Sequence, residues 1–273
     1  MKRMMRTAQL ISTAALTVGL LAAPCAFAVE AEDKPTANIT MGAFSQYIWR
    51  GWELSNDSIV IEPSMTVSYK GVSVNLWGNL DTNLYKQNPD DETNEWTETD
   101  LTLSYDGTVE KIKYGGGYIY YGLDGIADSQ EVYAYFGLAT LLNPKLTVYR
   151  DFDAMPGWYI TAEVSHSLPI SGDITLDLGA RAAYHSVDGA GHRSEIRNSA
   201  PSTEAYSAFH DGLLSAAVNV PINKYFSAKP ALYYSFPLSS EAKDLLEYEN
   251  FQVNGMEEES SFIYGGVSVS LAF

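Results

Sequence analysis

Residues 59–81 read IVIEPSMTVSYKGVSVNLWGNLD, and their patterning decides the fold. In Ile59–Tyr69 the odd positions are Ile59, Ile61, Pro63, Met65, Val67 and Tyr69, while Glu62, Ser64, Thr66 and Ser68 fall among the even ones. In the second half Val72, Val74, Leu76 and Leu80 share one face, and Ser73, Asn75, Trp77 and Asn79 the other. Successive strand residues point to opposite faces, so each segment reads as a strand with one apolar face. Tyr69-Lys70-Gly71 joins the two with a turn former in place.

The same alternation recurs along the chain, as in Ile174–Tyr184, where Ile174, Leu176, Leu178, Ala180, Ala182 and Tyr184 share a face. It predicts about twelve strands, over residues 37–50, 59–70, 71–81, 96–106, 109–121, 130–140, 144–152, 157–168, 173–186, 205–220, 225–236 and 262–273. The connections alternate in length. Short ones fall at Tyr69–Gly71, Asp106–Thr108, Leu141–Pro144, Pro169–Asp173 and Pro221–Lys224, and longer ones at 51–58, 82–95, 122–129, 153–156, 187–204 and 237–261. Short turns at one end and long loops at the other are the layout of an outer-membrane barrel. The expectation is an all-β protein: a single transmembrane antiparallel up-and-down β-barrel of about twelve strands, both termini periplasmic. A soluble sandwich also alternates. Strands of roughly ten residues, the membrane-spanning length, argue against it. So do aromatics expected as girdles on the apolar face: Tyr47, Trp49, Tyr69, Tyr120, Trp158, Tyr184, Tyr206, Tyr234 and Phe236. The terminal GGVSVSLAF, 265–273, reads as the last strand, closing against the first so that no edge meets hydrocarbon. Its final Phe273 resembles the C-terminal signal by which the outer-membrane assembly machinery recognises its clients.

Residues 1–28 carry Lys2, Arg3 and Arg6, an apolar run from Leu10 to Ala23, and Ala26-Phe27-Ala28, which together predict a cleaved signal peptide. The barrel domain is then 29–273. The only cysteine, Cys25, falls in the leader, so no disulfide is expected in the mature chain. That chain holds 14 basic against 34 acidic residues, a net charge of −20. Such a balance excludes nucleic acid as a partner, because phosphates need Lys and Arg neutralisation. The six long connections hold 19 acids against Lys86, Arg193, Arg197 and Lys243. This acidic rim reads as a solvated surface, as cation bridges to lipopolysaccharide phosphates, or as a field gathering cations at a pore mouth. No spaced calcium-loop motif, cofactor motif or metal site is identified.

Alternation also assigns charges to the lumen: Glu62, Asp81, Glu98, Asp100, Glu131, Asp151, Glu163, Asp177 and Asp211, against Arg50, Lys70, Lys111, Lys113, Lys145, Arg181 and Lys229. These charges either cross-link the wall or line a narrow wet channel, and twelve strands lie between filled and open barrels. Among the four histidines His185 is the best catalytic candidate, expected inward near the outer rim on the strand that carries Arg181 and Asp177, and no nucleophile is identifiable beside it. His210-Asp211 should split between the two faces. Gly115-Gly116-Gly117 lies inside a strand, where it suggests a bend or bulge.

Residues 45–52, Ser-Gln-Tyr-Ile-Trp-Arg-Gly-Trp, with Leu76-Trp77-Gly78-Asn79, resemble a family of uncharacterised, porin-like outer-membrane barrels of proteobacteria whose first strand carries S-x-Y-x-[FW]-R-G. The resemblance covers about residues 43–80 and matches Ser45, Tyr47, Trp49, Arg50 and Gly51. It implies a barrel with a transport role, supplies no catalytic residues, and draws attention to Arg50. At the outer end of strand one Arg50 is expected to point inward, either to pair with an acid such as Glu62 on the adjacent strand or to bind solute. The functional expectation is a non-enzymatic porin-like channel for small solutes or ions, its partners outer-membrane lipids and lipopolysaccharide. The alternatives are a non-conducting barrel acting through its acidic loops and, third, a lipid-modifying hydrolase.

Overall fold

The structure, a computed structural model, describes residues 34–55, 58–83, 94–188, 205–254 and 259–273. The leader and many of the rim charges, among them Asp90, Asp91, Glu92, Arg193, Arg197, Glu257 and Glu258, lie outside the described residues.

Twelve antiparallel strands close into a barrel. The wall begins with β1 (Thr36–Phe44), and the chain then leaves it for a small hairpin of β2 (Ile48–Trp49) and β3 (Trp52–Glu53). It continues as a meander through β4 (Val60–Tyr69), β5 (Val72–Asp81), β6 (Glu95–Val109), β7 (Ile112–Leu123), β8 (Ser129–Leu138) and β9 (Lys145–Asp151). The second half runs through β10 (Gly157–Ser171), β11 (Ile174–Val187), β12 (Ser207–Pro221) and β13 (Phe226–Pro237). Helix α1 (Ser240–Asn254) precedes the last strand, β14 (Phe262–Ala272). Each wall strand pairs with its neighbour in sequence, and β1 closes the ring against both β4 and β14, from Asn38↔Ala272 to Phe44↔Gly266. The first and last described residues, Lys34 and Phe273, lie with the short turns at one end, the turn end, and the longer connections leave from the other, the loop end.

The apolar face of each strand points away from the barrel. Met41, Met65, Val67, Val74, Leu76, Leu101, Leu103, Leu214, Leu232, Val267 and Val269 are all exposed. Water would disfavour so continuous a belt at roughly 25 cal/mol per Å², whereas lipid accepts it. Exposed aromatics bracket the belt, with Tyr69, Tyr105, Tyr114 and Tyr225 near the turn end and Trp96, Trp158, Phe209 and Tyr234 near the loop end.

Four expectations are corrected. The first wall strand stops at Phe44, so Tyr47 and Trp49 lie inside the barrel and are not girdle residues; Tyr206 is buried there as well. Asp106-Gly107 continues β6, which turns only at Glu110 (φ 55°). Gly107 is opposite Tyr114, and a Cβ on it would come 2.6 Å from that ring, so this glycine makes room for an aromatic and does not bend the chain. Lys70 and Lys111 sit exposed in turns and do not enter the lumen. Gly115 and Gly117 keep register with both neighbouring strands, with no bulge, and a Cβ on either would strike Tyr135 or Tyr133.

Candidate functional site: an inserted hairpin in a charged lumen

The segment after β1 stays tied to the wall at its root, where Ser45 N–H donates to Gly265 O at 2.9 Å. It then folds into the lumen. Ile48 pairs with Glu53 and Trp49 with Trp52, around a two-residue turn in which Arg50 (φ 49°) and Gly51 (φ 87°) are both left-handed. That is the type I′ geometry, which matches strand twist and demands positive φ at both central positions. At the base of the hairpin Leu54 N–H donates to Tyr47 O at 2.8 Å, and Tyr47 N–H to Ser55 Oγ at 2.9 Å.

The tip is held by side chains of the adjacent strands β7, β8, β9 and β10. Arg50 Nη2 donates to both carboxylate oxygens of Glu131 on β8, each at 2.9 Å, with the two side chains 4 % and 1 % exposed. The guanidinium carbon lies 4.1 Å from the Tyr159 ring centroid, 4.6 Å from Trp49 and 5.3 Å from Tyr149. Tyr121 supports the same carboxylate, its hydroxyl donating at 3.0 Å. The expected Arg50–Glu62 pair is therefore replaced by Arg50–Glu131: once the chain turns inward, the arginine reaches across the lumen and not along the wall.

His210 secures the backbone of the turn. A carbonyl can only accept, so His210 Nε2–H donates to Arg50 O (2.9 Å), and Nδ1 accepts the Tyr206 hydroxyl (2.7 Å). His210 and Asp211 are both fully buried, contrary to the expected split. Between β11 and β12 the register passes from Ala182↔Gly212 to Tyr184↔Phe209, so one extra residue is accommodated on β12. A bulge of this kind breaks alternation and turns two consecutive side chains to one side. Asp211 then accepts from Arg181 Nη2 and from the Tyr159 hydroxyl, both at 2.6 Å.

Helix α1 lies over the hairpin at the loop end. Ala242, Leu245 and Leu246 are buried, the two leucines clustering with Trp52 and Tyr206. A Cβ on Gly51 would come 2.9 Å from Leu246, so glycine there meets both the φ and the close approach. Ser239 Oγ accepts the Ala242 N–H near the helix start, and the carboxyl of Glu241 is held below its usual pKa by its backbone amide and by the Ser240 and Ser239 hydroxyls.

The other sequence-assigned residues face the lumen at different heights. Asp81, fully buried near the loop end, accepts Ser58 Oγ at 2.5 Å. Glu62 and Asp100 are buried on the β4–β6 wall, and Tyr47 donates to Glu98 beside them at 2.9 Å. His185 is surrounded by rings, with centroids 5.1 Å from His210, 5.5 Å from Trp52, 5.8 Å from Tyr206 and 5.9 Å from Tyr159. Toward the turn end Lys145–Glu163 (3.0 Å) and Lys229–Asp177 (3.1 Å) form ion pairs, and Lys113 is half-exposed on the β7 lumen face. The charges thus separate into a tightly paired cluster holding the hairpin and a looser set below it. Sequence reasoning did not single out Tyr121, Tyr149, Tyr159 and Tyr206 as partners of the hairpin. Their odd or even positions mark the lumen face, but nothing in a strand pattern announces what fills it.

Architecture and surface define a membrane-type β-barrel with a segment inserted in its lumen. The NanC porin has the same fold: TM-score 0.52 at 10 % identity, with 86 % of this chain and 98 % of that one covered. An outer-membrane channel from Pseudomonas putida F1 gives 0.49 at 8 % identity, over 90 % of this chain and 100 % of that one. No family model matches the sequence, and no curated protein matches it.

Proposed function

We propose that this protein is an outer-membrane channel for small solutes, with the loop end outside the cell, both termini periplasmic, and the Tyr47–Ser55 hairpin as its constriction. One observation carries the reading: the apolar-coated barrel has a lumen lined with polar and charged side chains. Below the hairpin it presents Thr40, Thr66, Ser73, Asn75, Thr102, Ser104, Thr147 and Ser268 together with the Lys145–Glu163 and Lys229–Asp177 pairs. A barrel serving only as an anchor gains nothing from so many polar groups facing inward, since each must find a partner or water. Arg50, Glu131, Arg181 and His185 lie at the constriction. Glu62, Asp81 and Asp100 form its acidic wall, and Lys113, Glu163, Asp177 and Lys229 line the wider part toward the periplasm. That the NanC structure carries the name porin agrees with this reading.

A second reading draws on α1. The helix lies over a hairpin that already occupies the loop end of the lumen, as a closed barrel acting through its acidic loops would have it. Single-channel recording of the folded mature protein in planar bilayers separates the two. The channel reading expects a small, steady conductance; a folded barrel that carries no current overturns it in favour of the second.

A further inference from the structure

We infer that the lumen wall formed by β4, β5 and β6 carries a binding niche for an ammonium-type cation, built by Glu62, Asn79, Glu98 and Asp100 with the rings of Tyr47 and Trp77. The inference names a class of solute for the proposed channel and rests on that reading only for the ligand's route in.

The registers bring these residues together. β4 and β5 pair Ile61 with Leu80 and Ser64 with Trp77, which sets Glu62 opposite Asn79. β5 and β6 pair Asn79 with Glu98 and Trp77 with Asp100. Asn79 therefore sits between two glutamates on adjacent strands, and Asp100 lies one step along the same lumen face as Glu98. The three carboxylates are each 4–5 % exposed. None of the ion pairs among the described residues includes them.

Two further observations point to a positively charged guest. Asn79 is fully buried, and while its Nδ2 donates to Thr97 Oγ1 at 2.7 Å, its Oδ1 has no donor. One oxygen of Asp100 is also without a donor. An –NH3⁺ group offers three donors and no acceptor, which is what a set of under-satisfied acceptors lacks. Tyr47 and Trp77 pack at 5.6 Å between centroids and the Tyr47 hydroxyl donates to Glu98, so two aromatic rings flank the acids. Aromatic rings beside carboxylates suit an organic cation. A hard metal ion is the poorer fit. Its shell closes on oxygen ligands at 2.3–2.6 Å, which leaves the two rings without a role, and no metal-holding group of acids occurs among the described residues.

The test is calorimetric titration of the folded full-length barrel in detergent with 1,4-diaminobutane, its isosteric alcohol 1,4-butanediol, and calcium chloride. The expected result is saturable binding of the diamine, none of the diol, and no competition by calcium. Glu62→Gln and Asp100→Asn should each weaken diamine binding at least tenfold, since each removes a charge-assisted hydrogen bond. Both substitutions keep side-chain volume, and heat-modifiable gel migration verifies folding. Lys70→Gln, exposed in the turn between β4 and β5, should leave diamine binding unchanged. Absence of diamine binding by the folded wild type, equal binding of the diol, displacement of the diamine by calcium, or unchanged binding in both acid variants would each overturn the niche. Binding without conductance would sink the channel and leave the niche standing; conductance without binding would do the reverse.

Discussion

Removing both partners of the Arg50–Glu131 pair should destabilise the barrel by less than the sum of removing each alone. Both side chains are almost fully withdrawn from solvent, and Arg50 Nη2 meets both oxygens at 2.9 Å. In Arg50→Met, Glu131 keeps only the Tyr121 hydroxyl, at 3.0 Å. An uncompensated buried charge costs about 3–5 kcal/mol, and the stacked guanidinium loses up to roughly 2 kcal/mol of attraction to the rings around it. Because these contributions overlap, about 4 kcal/mol is expected. Glu131→Met strands Arg50 among Tyr149, Tyr159 and Trp49 and should cost as much. The double variant leaves no lone charge, so it should cost less than the sum by about 2–3 kcal/mol, the coupling range of residues in direct contact. Urea unfolding in lipid vesicles, followed by tryptophan fluorescence, measures all three. Single losses below about 1 kcal/mol, or strictly additive losses, would refute the reasoning that this pair fixes the hairpin.

Three further outcomes follow from the same contacts. His210→Ala should cost about 2–6 kcal/mol in the same assay, because it leaves both Arg50 O and the Tyr206 hydroxyl without their histidine partner, at about 1–3 kcal/mol each. Leu246→Ala, at a fully buried position against Gly51, should cost about 2–5 kcal/mol if α1 is packed as described, and close to nothing if the helix lies free. Asp128, in the loop after β7, has its pKa lowered by the Tyr120 hydroxyl and the Leu123 N–H. A carboxyl with a depressed folded pKa stabilises above its unfolded pKa and loses that contribution as pH falls through the folded one. Exchange of the Leu123 amide should therefore speed up, relative to its intrinsic rate, as the medium is acidified below the ordinary aspartate range, and should not do so in Asp128→Asn.

The wall was legible because period 2 is a local property with one cause: every strand there has lipid on one side and the lumen on the other. Ile59–Tyr69 and Val72–Leu80 declare it by themselves, and Lys70-Gly71 supplies a second left-handed pair that closes their turn. The hairpin was not legible because Tyr47, Trp49 and Arg50 alternate as a wall strand does; a segment packed between lumen walls can carry the same period with different neighbours. Its one local mark is Gly51, at a position that needs positive φ. The partner of Arg50 lies 81 residues away across the lumen, a separation that no strand pattern encodes. His210 and Asp211 were assigned to opposite faces because a bulge is set by the register with β11 and not by either residue. Asp106-Gly107 read as a turn because glycine serves tight turns and close aromatic packing equally well.

The constriction itself is tested most directly by replacing residues 47–54 with a glycine–serine linker of equal length and comparing single-channel conductance with that of the wild type in the same planar bilayer. With the hairpin occupying the loop half of the lumen, the folded variant should conduct several-fold better and lose any selectivity imposed by Arg50 and Glu131. Equal conductance in a folded variant would contradict the account, placing the narrowest point of the lumen elsewhere.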